Sequence, residues 1–123
     1  MTEILNNQVT SVHGDALNLP NVNVPLQDYD TVTIKHLSYV GLAAVESIFL
    51  VWCTYTNSYV ASFTIDANEF KCDHSLDTVI RLNKSNFDMG FKLFYYDPND
   101  AILKPSTDAA FMSITLEFNK YKK

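Results

Sequence analysis

An all-β fold, an antiparallel β-sandwich closed most naturally as a single jelly roll of about eight strands, with an immunoglobulin-like sandwich as the other closure that fits, follows from three features of this chain. Its clearest segment, Phe111 to Phe118, sets Met112, Ile114, Leu116 and Phe118 in alternation with Ser113, Thr115 and Glu117. A two-residue period is what a strand needs when one face is buried and the other is wet. Val, Ile and Thr number 27 against 8 Ala, a bias toward strands. Turn formers divide several further short apolar runs, and no 3.6-residue period competes with them.

Residues 1–27 are Asn-rich, contain Pro20 and Pro25, and carry no Lys or Arg. Short apolar islands at Val9–Val12 and Leu17–Leu19 predict an extended arm or a pair of weak edge strands. The body is expected from Asp28 to Phe118. Thr31 to Lys35 alternates with Val32 and Ile34 inward, and the strand is expected to continue to Leu37 or Tyr39. The stretch from Leu37 to Tyr55 has the apolar look of a membrane span. Glu46 near its middle and Ser38, Gly41 and Ser47 argue against that. A turn or short helix around Gly41–Glu46 is expected instead, then a strand from Ile48 to Thr56. Ile48 to Trp52 is apolar on both faces, so this strand needs cover on both sides.

Thr56-Asn57-Ser58 reads as a hairpin turn. Tyr59 to Ile65 follows, with Tyr59, Ala61, Phe63 and Ile65 on one face. Asp66–Asp73 is a polar connection. Leu76, Thr78, Ile80 and Leu82 mark a strand ending at Asn83–Asn86. Asp88-Met89-Gly90 turns into Phe91–Tyr96, a strand apolar on both sides. Asp97-Pro98-Asn99-Asp100 is a turn, Ala101–Ala110 a loop containing Pro105, and the closing strand ends before a Lys-rich tail at 119–123.

At 123 residues the chain fits one domain with a core of its own. Its net charge is −5 and Arg81 is its one arginine, which argues against a nucleic-acid partner bound through phosphates. Cys53 lies in an apolar run and reads as a small buried hydrophobe. With Cys72 it makes no disulfide framework, which suits a reducing compartment. The N-terminal residues lack the basic and long apolar regions of a signal peptide.

No residues are assigned to catalysis, a cofactor or a metal. Adjacent Cys72, Asp73 and His74 point to alternate faces of an extended chain. Asp97, Asn99 and Asp100 lack the twelve-residue frame of an EF-hand. His74-Ser75 is a sequence neighbourhood rather than a dyad, and no Gly-x-Ser-x-Gly elbow occurs. Gly14, Gly41 and Gly90 are too far apart to cradle a phosphate. The aromatics, 13% of the chain, are mostly core or cross-strand pairs. The residues expected at an interface are Ile4, Leu5, Val9, Val12, Phe94 and Tyr96.

Four segments carry a family resemblance: Tyr29 to Ile34, Ile48 to Thr56, Phe91 to Asp100 and Ser113 to Phe118. In that order they resemble the small jelly-roll penton and minor capsid proteins of icosahedral double-stranded DNA viruses, over about residues 28–118. The resemblance implies a non-enzymatic virion protein, assembled in a host cell among other capsid proteins, as a homo-oligomer or in a large particle. The length favours a minor or cementing component over a penton. The alternatives are a carbohydrate- or receptor-binding β-sandwich of a virus or phage, with Tyr55, Tyr59, Tyr95 and Tyr96 stacking on sugar, and a small cytosolic enzyme on a β-barrel.

Overall fold

The computed structural model describes residues 3–15, 19–40, 47–65, 71–83, 85, 88–97, 102–105 and 111–122. Eight strands run β1 Ile4–Asp15, β2 Thr31–Val40, β3 Ser47–Cys53, β4 Ser58–Ile65, β5 Lys71–Arg81, β6 Phe91–Asp97, β7 Ile102–Pro105 and β8 Phe111–Tyr121. They form two antiparallel four-stranded sheets, ordered β1-β8-β2-β5 and β4-β3-β6-β7. The first and last strands lie side by side, and eight strands in two packed sheets is the closure expected of a jelly roll.

One core fills the space between the sheets. From β8 it takes Met112, Ile114, Leu116 and Phe118, all fully buried. From β2 come Val32, Ile34, Leu37 and Tyr39, and from the second sheet Phe49, Val51, Phe63, Phe91 and Leu93. Tyr39 bridges the layers, its ring 5.0 Å from Phe49 and 5.5 Å from Phe63. Cys53 is a buried free thiol, as a small hydrophobe in this core should be.

Several segments differ from the sequence expectation. Between Ile4 and Asp15, where an extended arm or a pair of weak edge strands is expected, the chain forms one long edge strand, paired to β8 from Ile4↔Tyr121 to Asp15↔Phe111. The stretch from 19 to 30 is no free arm either. Val24, Leu26 and Tyr29 are buried, and the Val22 amide donates to the Met89 carbonyl at 2.9 Å. Residues 119–121 of the expected tail continue β8. The expected loop at 101–110 contains β7, and β5 begins at Lys71, inside the expected polar connection. The turns expected at Gly41–Glu46 and at Pro98–Asp100 lie outside the described residues.

Two bulges re-aim side chains. In β2 the register shifts between Ile34 and His36. In the β3–β4 hairpin Val51 pairs with Ala61 but Trp52 pairs with Tyr59, so Val60 is the extra residue. Tyr59 thereby leaves the inward face of Ala61 and Phe63, where the two-residue period placed it, and joins Trp52 on the outer face. The turn below this hairpin holds Asn57 at φ 53°, a left-handed conformation that asparagine tolerates better than most residues.

Candidate functional site

The outer faces of the two sheets are chemically unlike. On the β1-β8-β2-β5 sheet, cross-strand rows run Ser11–Thr115–His36–Ser75 and His13–Ser113–Ser38–Asp73. Ser11 and Thr115 hydroxyls lie 3.2 Å apart. Beside the β2 bulge Lys35 Nζ donates to Asp77 Oδ1 at 2.9 Å. That hydrogen bond, reinforced by the carboxylate charge, raises the Lys35 pKa above its ordinary value.

On the β4-β3-β6-β7 sheet the outward residues of β3 are Ile48, Leu50 and Trp52, in register with Tyr96, Phe94 and Lys92 of β6. Alternation explains this: Phe49, Val51, Phe91 and Leu93 point into the core, so their neighbours must point out. Tyr59 completes the patch. Its ring meets Trp52 at 4.9 Å and Phe94 at 5.9 Å, nearly perpendicular to both. Ile48 and Tyr59 are exposed, and Leu50, Trp52, Phe94 and Tyr96 are half-buried. Lys92 is the one charged residue among these seven positions. Contiguous apolar rings open to water mark an interaction surface.

A second apolar surface lies on the opposite sheet, along the side of β1 that no described strand pairs with. Ile4, Leu5 and Val9 are exposed there, Leu5 at 61% and Val9 at 58%. Val12 is not part of it. It sits at 5% exposure opposite Ile114, in the core, because even-numbered residues of β1 face inward beyond the bulge at Leu5. Of the six residues expected at an interface, the structure thus exposes Ile4, Leu5 and Val9, half-exposes Phe94 and Tyr96, and buries Val12. Ile48, Leu50, Trp52 and Tyr59 complete the apolar patch and are absent from that expectation. The odd-even split of Ile48 to Trp52 signals the first three, whereas Tyr59 depends on a bulge.

The groups weighed for chemistry do not converge. His74 points inward, its ring 6.0 Å from Phe63, and its buried Nε2 finds no partner among the described residues. Neighbouring Asp73 faces outward, its Oδ1 3.4 Å from His36 Nε2. Ser75 is exposed, across the strand from His74. Among the described residues no three His, Cys, Asp or Glu side chains cluster as metal ligands, and no helix is long and apolar enough to cross a membrane.

No protein-family model and no curated protein matches the chain. Among solved structures it is similar to a chain from Bacillus endospore appendages, described as disulfide-linked pili, at 9% identity and a TM-score of 0.35, over 98% of this chain and 91% of that one. It is also similar to a chain of infectious bursal disease virus, Gt strain, at 9% identity and a TM-score of 0.38, over 96% of this chain and 34% of that one. A chain of the Gx strain matches at 11% identity and a TM-score of 0.34, over 98% of this chain and 31% of that one. The chain spans about a third of the length of those viral chains. Likeness at this level carries nothing about function, which has to be read from the surfaces themselves.

Proposed function

We propose that the protein is a non-enzymatic structural subunit of a large particle, a minor capsid or cementing component of a virion. The observation that carries this reading is the outward aromatic face of β3, β4 and β6. Trp52, Tyr59, Phe94, Leu50, Ile48 and Tyr96 lie together on a sheet whose other face already has a complete core. Leaving such a strip in water is unfavourable by about 25 cal/mol per Å² of apolar area, so contact with a neighbouring subunit is its natural fate. A stable interface buries roughly 1,200–2,000 Å² in total, so the strip would form the centre of a larger contact. The virion setting comes from the resemblance of the strand segments to minor capsid proteins.

Leu50→Lys tests the assembly. It sets a charge in the middle of the strip without touching the inward face. Light scattering after size exclusion is expected to show concentration-dependent association for the wild type and the loss of all species larger than a dimer for the variant, with unchanged circular dichroism. Equal association of both chains would reject the aromatic face as the contact. Mass spectrometry of purified particles tests the virion setting, and absence of the protein from them would reject it.

The carbohydrate-binding alternative draws on the same rings. Tyr59 stands nearly perpendicular to both Trp52 and Phe94, so the three do not form one flat stacking platform. A glycan-array signal lost in Trp52→Ala would nevertheless replace the assembly reading with that one.

A further inference from the structure

Strand β1 pairs with β8 on one side, and among the described residues nothing pairs with its other side. Proteins usually guard such an edge with charge, proline or shortness, because bare amides and carbonyls template another strand. The β5 edge of the same sheet is guarded in this way, with Asp73, Asp77 and Arg81 along it and Lys35 bonded to Asp77. β7 is guarded by being four residues long. β1 has neither device. From Ile4 to Gly14 it contains no Lys, Arg, Asp, Glu or Pro.

We propose that β1 is a dimerisation edge whose occupant is β1 of a second copy, joined antiparallel across a two-fold axis. This rests on the assembly reading and adds to it a named partner on a different surface. The protein carries a net charge of −5, so two copies repel unless they meet along a neutral strip, and β1 is such a strip. A two-fold axis perpendicular to the sheet makes a strand antiparallel to its own copy, and the contact is self-complementary.

The ends are also compatible. Glu3 is held 3.5 Å from Lys122 at one end, and His13 and Asp15 lie at the other. Crossing the strands brings the Glu3–Lys122 pair of one copy to the Asp15 end of the other, so Lys122 offsets the meeting of the two carboxylates. Side chains on β1 are already fixed for pairing. Asn7 Nδ2 donates to Asn119 Oδ1 at 2.8 Å, and Gln8 Oε1 accepts from the Tyr29 hydroxyl at 2.8 Å.

Register follows from the pattern of side chains. Beyond the bulge at Leu5, β1 is regular from Asn6 to Asp15. An axis through Val9 sets Val9 against Val9 of the second copy, Asn7 against Ser11 and Gln8 against Thr10. Moving the axis to Gln8 or Thr10 would oppose exposed Val9 to Asn7 or Ser11 instead. Within the regular stretch from Asn6 to Asp15, the Val9 register alone joins apolar to apolar and polar to polar on the outer face. The result is a continuous eight-stranded sheet, β5-β2-β8-β1 followed by its symmetry mate.

Cross-linking reads that register directly. Directly opposite antiparallel residues have Cα atoms about 4.5–5.5 Å apart, within the reach of a disulfide. In the full chain carrying Cys72→Ser, Val9→Cys is expected to form a covalent dimer under mild oxidation, while buried Cys53 stays unreacted. Ser11→Cys, which opposes Asn7, is expected to cross-link several-fold less. In unoxidised protein, Val9→Lys sets two ammonium groups across the axis and is expected to weaken the dimer by about tenfold or more. The exposed position of Val9 leaves folding untouched, as circular dichroism will report. No Val9→Cys dimer, or cross-linking of Ser11→Cys as readily as of Val9→Cys, overturns the edge pairing. Neither outcome bears on the aromatic face, because Leu50→Lys reads that surface alone.

Discussion

Strands β8 and β3 both run through the middle of a sheet, and both give one face to the same core. They differ in what they show the outside. β8 presents Ser113, Thr115 and Glu117, a face that water satisfies. β3 presents Ile48, Leu50 and Trp52, and Ile48 is 47% exposed. Folding explains the inward residues of both strands. It explains the outward residues of β8 as well, since polar groups there cost nothing. It does not explain those of β3. A strip of large apolar side chains contributes little to a monomer, and the proposed association would account for it.

The largest expected effect checks that the two inward faces are equivalent. Leu116→Ala on β8 removes a fully buried side chain and is expected to cost about 2–5 kcal/mol in urea unfolding. Phe49→Ala on β3, whose ring stacks 5.2 Å from Phe63, is expected to cost about 3–5 kcal/mol. Costs of this size on both strands fit one shared core. A much smaller value for Phe49→Ala would mean that the second sheet is held loosely, and would weaken the claim that its outer face needs another explanation.

A smaller effect is expected from the matching outward substitution. Thr115→Lys is the counterpart on β8 of Leu50→Lys on β3. It stands between Ser11 and His36 on an already polar face. Stability is expected to change by about 0.5 kcal/mol or less, with association as in the wild type. Loss of association in light scattering would show that the polar face is also an interface, and the contrast between the sheets would fail.

Much of this contrast was legible in the chain. The alternation in β8 marked Met112, Ile114, Leu116 and Phe118 as core, and the two-sided character of Ile48–Trp52 and Phe91–Tyr96 marked the other sheet as needing cover. β1 was harder to read, because Asn6, Asn7 and Gln8 have poor strand propensity. They are held by β8 through backbone pairing rather than by burial of their own side chains. β7 escaped notice because four residues ending in Pro105 carry too short a period. Bulges leave no mark in a two-residue pattern, so Tyr59 was placed on the wrong side of its sheet. The meeting of Trp52, Tyr59 and Phe94 depends on register between strands up to 42 residues apart, which local periodicity does not encode.

The smallest effect separates the two faces by their response to solvent. Lys35 and Asp77 form an exposed ion pair at 2.9 Å, and the Lys35 pKa is raised. A raised folded-state pKa means that the folded protein holds this proton more tightly than the unfolded chain does. The pair's stabilisation is therefore fully present below the ordinary lysine value and is lost as pH rises through the raised one. Comparing wild type with Lys35→Met by thermal unfolding, the gap between them is expected to be small at about pH 8, to shrink in about 0.5 M salt and to vanish at high pH, above the raised value. Added sulfate is expected to act in the opposite sense on the other face, strengthening association through Leu50 and Trp52 because burial of apolar surface is favoured when the salt is excluded from it. A wild type whose association weakened with sulfate would place charges, rather than the aromatic strip, at the contact between copies.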